Sequence, residues 1–149
     1  MKTLLLLRHA KSSRDDPTLN DFDRALNDRG KDDAKLIGRF IRREQLAIDL
    51  IVSSPAKRAR RTTESVLKTA ELPHQPMFDE RIYEAGIDQL LTVVSQIESS
   101  HNVALMVGHN PGFEDLLISL TDHAARLPTA ALACIDLDIR EWRDVAPRC

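Results

Sequence analysis

Two histidines and two arginines follow short apolar runs in this chain, in positions from which they could assemble one anion-binding pocket. Arg8 and His9 come directly after the first run, Arg58 lies shortly after the second, and His109 follows the third. A guanidinium group binds phosphoryl oxygens through two parallel hydrogen bonds, and an imidazole can act as a nucleophile or exchange a proton near neutral pH. Together these four side chains are suited to holding and transferring a phosphoryl group.

The elements that must position these side chains are strands and helices in alternation. The three apolar runs predict short buried strands over residues 1–7, 50–53 and 103–107, with apolar stripes at helical spacing between and after them. Residues 135–139 alternate apolar and acidic side chains, which predicts a half-exposed strand near a sheet edge. We therefore predict an α/β fold, a three-layer α/β/α sandwich with a mainly parallel central sheet, in a single domain over residues 1–149. The carboxyl ends of parallel strands meet at one edge of the sheet, where ligands usually bind.

Helix beginnings near the same residues favour an anion site. Ser54 and Asn110 are each predicted to cap a helix N-terminus, with Pro111 at the first helical position of the second helix. The free backbone N–H groups of a helix N-terminus, and the helix dipole, attract a negative charge. Both helices should therefore support the binding of an anion at the strand ends.

The composition of the chain limits which partners and which cellular location we expect. The chain has 149 residues and a formal net charge of −2, so it offers no general basic surface for nucleic acid. The apolar opening before Arg8 is too short for the apolar region of a signal peptide, and no apolar stretch is long enough to span a membrane. Cys134 and Cys149 are too few for a disulfide framework or a zinc site. We expect a cytoplasmic protein with no nucleic-acid or membrane partner.

Four motifs appear in the order found in a known family. Residues 7–10, Leu-Arg-His-Ala, are similar to a signature with Arg-His-Gly, and residues 24–30 to an Arg-x-Leu-x-x-x-Gly stretch. Residues 54–62 are similar to a Ser-Pro-x-x-Arg-Ala-x-x-Thr segment, and residues 107–112, Val-Gly-His-Asn-Pro-Gly, match a second histidine motif. On these motifs the chain resembles the histidine phosphatase superfamily, which includes the phosphoglycerate mutases, and in particular its small phosphohistidine phosphatase branch. Ala10 replaces the glycine of the first motif.

The resemblance implies a phosphatase that forms a phosphohistidine intermediate and uses no cofactor or metal. It implies that His9 is the nucleophile, which must attack with an unprotonated ring nitrogen while its other nitrogen donates to a carbonyl or carboxylate. Arg8, Arg58 and His109 would bind the phosphoryl oxygens and stabilise charge in the transition state. Glu84, just before the third predicted helix, is the candidate general acid. The alternative is that Glu84 is a helix-start carboxylate stabilised by the helix dipole.

The expected substrate is phosphohistidine on a protein. The chain has no room for the long insertions that cover the site in larger members of the family, and an uncovered pocket suits a protein surface. The alternative is a phosphatase or mutase that uses the same site on a small phosphorylated metabolite. A phosphorelay carrier is disfavoured because His9 follows a buried strand beside arginines. A metal hydrolase built on His9, His109 and Glu84 is weaker still, since the arginines would repel a cation.

Several other polar residues are predicted to lie outside the site. The polar stretch 11–13 is expected to be solvated, and residues 15–23 to form a surface loop. Arg60 and Arg61 should face solvent or a protein partner. The remaining histidines are predicted to be surface residues: His74, His101 and His123.

Overall fold

The computed structural model describes residues 1–149, and its centre is a five-stranded sheet. The strands are β1 (Lys2–Arg8), β2 (Leu50–Ser53), β3 (Met77–Phe78), β4 (Val103–Gly108) and β5 (Leu132–Leu137), in the spatial order β3-β2-β4-β1-β5. The pairs β2–β3, β2–β4 and β1–β4 are parallel, whereas β5 pairs antiparallel with β1 at one edge. The predicted mainly parallel sheet is confirmed, and so is its late edge strand, which ends two residues earlier than expected. The short strand β3 was not predicted.

Four α-helices cover the two faces of the sheet. They are α1 (Asp28–Arg43), α2 (Lys57–Ala70), α3 (Ile87–Ser95) and α4 (Gly112–Thr121). Helices α1 and α2 pack against each other on one face, and α3 and α4 on the other, which confirms the three-layer sandwich. None of the helices is long and apolar enough to cross a membrane.

The central strand β1 shows why its residues are apolar at nearly every position. Leu4 and Leu6 belong to the core shared with α3 and α4, whereas Leu5 and Leu7 belong to the core shared with α1 and α2. Successive side chains of a strand point to opposite faces, and both faces here are covered by helices. Burying one leucine side chain contributes about 1.5–3 kcal/mol, so the strand is firmly anchored. The residues at its carboxyl end are thereby fixed relative to β4 and β2.

The two predicted N-caps near the site are wrong. Helix α2 begins at Lys57, and α4 begins after Pro111 rather than at it, so neither Ser54 nor Asn110 is the capping residue. The side chain of Ser54 instead lies 2.7 Å from the Nε2 atom of His109. The Asn110 amide donates to a backbone carbonyl at 2.8 Å. Both side chains connect separate loops of the sheet edge instead of ending a helix.

Two glycines allow close approaches that fix the loops after β1 and β4. A Cβ atom at Gly30 would overlap the backbone carbonyl of Lys11, so the first turn of α1 presses on the loop that follows His9. A Cβ atom at Gly108 would lie 2.6 Å from the Phe113 ring, which packs directly under the end of β4. A larger residue at either position would displace a loop that carries a histidine.

Candidate active site

The carboxyl ends of β1, β2 and β4 meet at one edge of the sheet. β1 pairs with β4 as far as Arg8 and Gly108, and β2 pairs with β4 as far as Ser53 and Val107, so the residues after each strand lie side by side. A pocket of about 200 Å³ opens at this edge. Four of the five residues predicted for the site line it together: Arg8, His9, Arg58 and His109.

His9 is only 7% exposed, and both of its ring nitrogens have partners. Nδ1 lies 2.7 Å from the carbonyl oxygen of Ala10, and a carbonyl can only accept, so Nδ1 carries the proton. Nε2 therefore presents a lone pair, to which the Nε atom of Arg58 donates at 3.3 Å. This is the tautomer that a nucleophilic imidazole requires, with a carbonyl on the other nitrogen.

Burial and neighbouring positive charge favour the neutral form of both site histidines. Burial, together with the positive charge of the nearby arginines, lowers the pKa of His9 to about 4 despite the opposing hydrogen bond to Ala10. Burial also lowers the pKa of His109 to about 3, with Arg58 and His9 adding to the effect. At neutral pH both rings are uncharged, so the Nε2 atom of His9 keeps its lone pair. The two ring centroids are 5.1 Å apart.

Arg58 is anchored by Asp21, a residue for which the sequence predicted no role. Arg58 is 6% exposed, its Nη1 donates to the Asp21 carbonyl at 2.7 Å, and its Nη2 donates to the Asp21 carboxylate at 2.9 Å. The same carboxylate accepts hydrogen bonds from the Tyr83 hydroxyl at 2.7 Å and from Arg24 at 2.9 Å. Partial burial opposes ionisation of Asp21, but these hydrogen bonds hold its pKa well below the usual value. The ionised carboxylate thus orients Arg58 with its Nε toward His9.

Arg8 and His109 keep buried polar atoms that have no partner in the protein. The Nη1 atom of Arg8 donates to the Leu127 carbonyl at 3.0 Å, while its Nε is buried without a hydrogen bond. The Nε2 atom of His109 contacts Ser54, and its Nδ1 is buried without one. Polar atoms in this state are uncommon in folded proteins because they are costly. An oxyanion in the pocket would supply the acceptor that Arg8 lacks.

The structure does not bring Glu84 into the pocket lining. Glu84 is exposed, and its φ of 53° places it in the left-handed region between the 3₁₀ turn Glu80–Ile82 and helix α3. The helix-start alternative is not supported either, because α3 begins at Ile87. The preceding residue, Tyr83, does approach the site, with its ring centroid 5.6 Å from that of His109. This segment therefore presents a phenol to the site.

Six further residues line the pocket: Lys11, Ser12, Arg14, Arg24, Asn110 and Thr129. The prediction that the stretch 11–13 lies outside the site is wrong for Lys11 and Ser12. Arg24 donates to the Ser12 hydroxyl at 2.8 Å, and its place at the head of the motif 24–30 was a signal that could have found it. Asp21 belongs to the predicted surface loop 15–23, which is exposed but reaches Arg58. No local pattern predicts the contact of Asp21 with Arg58 or Tyr83, because these two partners lie 37 and 62 residues away in the sequence.

The alanine that replaces glycine in the first motif is accommodated. Ala10 is fully buried, and it belongs to a small apolar cluster with Leu26 and Ala34. Its N–H donates to the Thr62 hydroxyl at 3.0 Å, and that hydroxyl donates in turn to the Arg58 carbonyl at 2.8 Å. The loop that carries His9 and the helix that carries Arg58 are thus joined by hydrogen bonds.

Known proteins are similar to this chain in sequence and in fold. Residues 4–90 match the family model of the histidine phosphatase superfamily, branch 1. An uncharacterised protein of Mycobacterium tuberculosis is 31% identical over 154 aligned positions, which cover 96% of this chain and 94% of the relative. A structure from Agrobacterium tumefaciens, provisionally assigned as the phosphohistidine phosphatase SixA, has a TM-score of 0.84 at 29% identity and covers 91% of both chains.

A second solved structure, the protein histidine phosphatase SixA complexed with tungstate, has a similar fold. Its TM-score is 0.83 at 21% identity, over 91% of this chain and 88% of that chain. The family model spans more than half of the chain and contains the strand-end residues Arg8, His9 and Arg58. On the combined sequence and fold similarity, the chain belongs to the histidine phosphatase superfamily, branch 1.

Proposed function

We propose that this protein removes the phosphoryl group from phosphohistidine on a protein substrate, through a phosphohistidine intermediate on His9. Membership of the superfamily, together with the fold shared with a SixA structure, supports a phosphatase. The observation that carries the proposal is the neutral His9 ring, whose unprotonated Nε2 lies in one pocket with Arg8, Arg58 and His109. A neutral nucleophile among fixed cations is the arrangement that phosphoryl transfer requires.

In the first step, the Nε2 atom of His9 attacks phosphorus in line with the nitrogen of the leaving group. The new P–N bond forms as the bond to the substrate imidazole breaks, and the electron pair of that bond stays on the substrate nitrogen. The substrate ring carries a proton on its other nitrogen and therefore leaves as neutral imidazole. Arg8 and Arg58 donate to the phosphoryl oxygens and stabilise their charge in the transition state. Arg58 exchanges its contact with His9 for the phosphoryl group while Asp21 holds the rest of the guanidinium.

In the second step, water attacks the phosphorus of phosphorylated His9, and inorganic phosphate leaves. A bound phosphoryl dianion raises the pKa of neighbouring groups, so His109 becomes able to take a proton from the attacking water and pass it to the departing phosphate. The departing His9 returns to the neutral tautomer that the Ala10 carbonyl favours.

The proton donors of the site favour an imidazole leaving group over an alkoxide. Glu84 does not line the pocket, and hydrogen bonds hold the Asp21 pKa low, so no neutral carboxylic acid stands beside His9 at neutral pH. Imidazole needs less protonation to depart than an alkoxide does. This supports phosphohistidine over the alternative of a small phosphomonoester. Glu84 stays the sequence-based candidate for the general acid and is tested against Asp21 below.

The resemblance to the Agrobacterium tumefaciens structure, provisionally assigned as the phosphohistidine phosphatase SixA, also supports a phosphohistidine substrate. We further propose that residues 1–149 act as one catalytic domain in the cytoplasm, with a phosphorylated protein as partner. The metal-hydrolase alternative lacks support, since Glu84 does not join His9 and His109.

The test of the substrate class is a comparison of kcat/KM among a histidine-phosphorylated protein, a phosphohistidine peptide and a panel of sugar phosphates. We expect kcat/KM for the phosphohistidine substrates to exceed that for the sugar phosphates by about 10²-fold or more. The reason is that an imidazole leaving group departs without a strong acid, whereas an alkoxide needs one. A sugar phosphate that is turned over faster than both would overturn the proposal in favour of a metabolite phosphatase.

A further inference from the structure

A second concentration of positive charge lies beside the phosphate pocket, between helices α1 and α2. These charges surround a cavity of about 420 Å³, which we call the basic groove. Its charged residues are Lys31 and Lys35 from α1, and Lys57 and Arg61 from α2. No carboxylate side chain lines it. The chain as a whole has a net charge of −2, so this charge is local.

The cations of the basic groove are poorly neutralised by the protein itself. Arg61 pairs with Glu64 at 2.9 Å, with both side chains about half exposed, and Lys31 lies 4.0 Å from Asp28. Lys35 and Lys57 form no ion pair within 4.0 Å. The lysines of α1 are four residues apart, and so are the two cations of α2, which is the spacing at which like charges repel on a helix. A fold that keeps four such cations around one cavity has a surface matched to an anionic ligand.

The basic groove and the phosphate pocket share their walls. On α2, Arg58 lines the pocket while its neighbour Lys57 lines the groove. In the preceding loop, Arg24 lines the pocket while Ala25 lines the groove. A ligand that reaches both sites must therefore cross this boundary. A chain segment of a protein is long enough to do so, whereas a small metabolite seated in the pocket is too short to reach the groove as well.

We propose that the basic groove binds an acidic segment of the phosphorylated protein whose phosphohistidine enters the adjacent pocket. The inference rests on the proposed function, and it specifies which phosphoproteins the enzyme prefers: those with Asp or Glu near the phosphohistidine. Complementary charge speeds association and selects partners. Because the groove cations are exposed, the preference weakens as salt rises, on the scale of a Debye length of about 10 Å at 0.1 M.

The test compares two double variants with the same change in charge on the same two helices. The groove variant is Lys35→Glu with Lys57→Glu, and the control variant is Arg39→Glu with Lys68→Glu, neither of which lines the groove. All four side chains are exposed, so both variants should fold.

The first measurement is binding, and it does not depend on turnover. A fluorescent, unphosphorylated peptide with glutamates on both sides of a histidine is titrated with each protein at low ionic strength. We expect the groove variant to bind about tenfold more weakly than wild type and the control variant to bind within about twofold of it. Equal loss in both variants, or no loss in the groove variant, would overturn the proposal.

The second measurement is kcat/KM for phosphohistidine peptides with glutamate or glutamine flanks. Wild type should prefer the glutamate flanks by about tenfold, and the groove variant should lose that preference while keeping its activity on the glutamine-flanked peptide. Turnover of both peptides without any preference overturns the groove and leaves the proposed function intact. Loss of peptide binding in the groove variant, with neither phosphopeptide hydrolysed by wild type, overturns the proposed function and supports the groove.

Discussion

Strand β1 carries a cation at each end, and the protein holds the two in different ways. Lys2, at the amino end, is 3% exposed, and its ammonium donates three hydrogen bonds of 2.7 to 2.9 Å to acceptors in the segment 99–102. All three of its donors are therefore used. Arg8, at the carboxyl end, donates to one carbonyl and keeps a buried Nε without a partner. A buried cation whose donors all have acceptors stabilises the fold. A cation that keeps a donor without an acceptor is suited to binding a ligand.

The histidines near the two ends of β1 follow the same contrast. His101, next to the acceptors of Lys2, lies 3.7 Å from an Asp49 oxygen, and its carbonyl also accepts from the Trp142 indole. His9 lies among arginines, and the lone pair of its Nε2 atom accepts a hydrogen bond from Arg58. The amino end of the sheet is therefore a structural polar cluster, whereas the carboxyl end carries the proposed active site.

The largest difference between the two ends should appear on removal of each histidine. His9→Ala removes the proposed nucleophile, and we expect turnover to fall by more than about 10³-fold with little change in melting temperature. His101→Ala is the matched control at the other end of the sheet and should retain activity within a few-fold. Activity of His9→Ala close to wild type would refute the assignment of His9.

The two cations of β1 should separate activity from stability. Arg8→Met should lower kcat/KM by about 10²-fold or more, because it removes donors to the phosphoryl group. Lys2→Met leaves buried acceptors without donors, so we expect the free energy of unfolding to fall by about 1–3 kcal/mol while kcat/KM stays within about twofold. Urea denaturation and steady-state kinetics on both variants measure this. An active Arg8→Met enzyme, or a Lys2→Met enzyme that is stable but inactive, would break the comparison.

Two carboxylates allow a smaller, sharper test of proton transfer. Asp21→Asn weakens the anchor of Arg58, so we expect a loss of about tenfold in kcat/KM that is similar for all leaving groups. Glu84→Gln should change kcat/KM by less than about twofold for phosphohistidine, because Glu84 does not line the pocket. A loss of about 10²-fold in Glu84→Gln that is confined to alkyl phosphates would instead establish Glu84 as the general acid.

A last expected effect is on stability as a function of pH. The pKa of His109 is about 3 in the folded protein against 6.5 ordinarily, so at intermediate pH the unfolded chain takes up a proton that the folded protein does not. The free energy of unfolding therefore falls as the pH drops from 6.5 toward 3. His109→Gln should reduce this fall in urea denaturation, whereas His123→Gln, at an exposed position, should not. An identical pH profile for wild type and His109→Gln would contradict a neutral, buried His109.

The sequence was sufficient for the parts of the site that follow from strand order. Four residues of the candidate site come soon after apolar runs: Arg8, His9, Arg58 and His109. The apolar runs form parallel strands covered on both faces, and the carboxyl ends of such strands lie together. The bounds of β2 were predicted to the residue because its apolar run is bounded by polar residues. These features depend on local composition and on general rules of topology.

What the sequence could not predict depends on contacts between distant segments. Asp21 lies in a polar loop whose composition indicates only solvent exposure, and its role arises from Arg58 and Tyr83. β3 has two exposed residues and therefore no buried pattern. Serine is a residue type favoured at helix N-caps, but the hydroxyl of Ser54 contacts His109 instead.

The most direct test of the central claim is to trap the phosphoryl group on the enzyme. Wild type is mixed with ³²P-labelled phosphohistidine substrate and quenched rapidly into alkaline denaturant, and the labelled peptide is mapped. We expect label on His9 that is stable in base and lost in acid, as a phosphoramidate should be, with no label in His9→Ala and normal labelling in His101→Ala. Label on a serine, label that persists in His9→Ala, or a wild-type enzyme that turns over without any trapped label would contradict it.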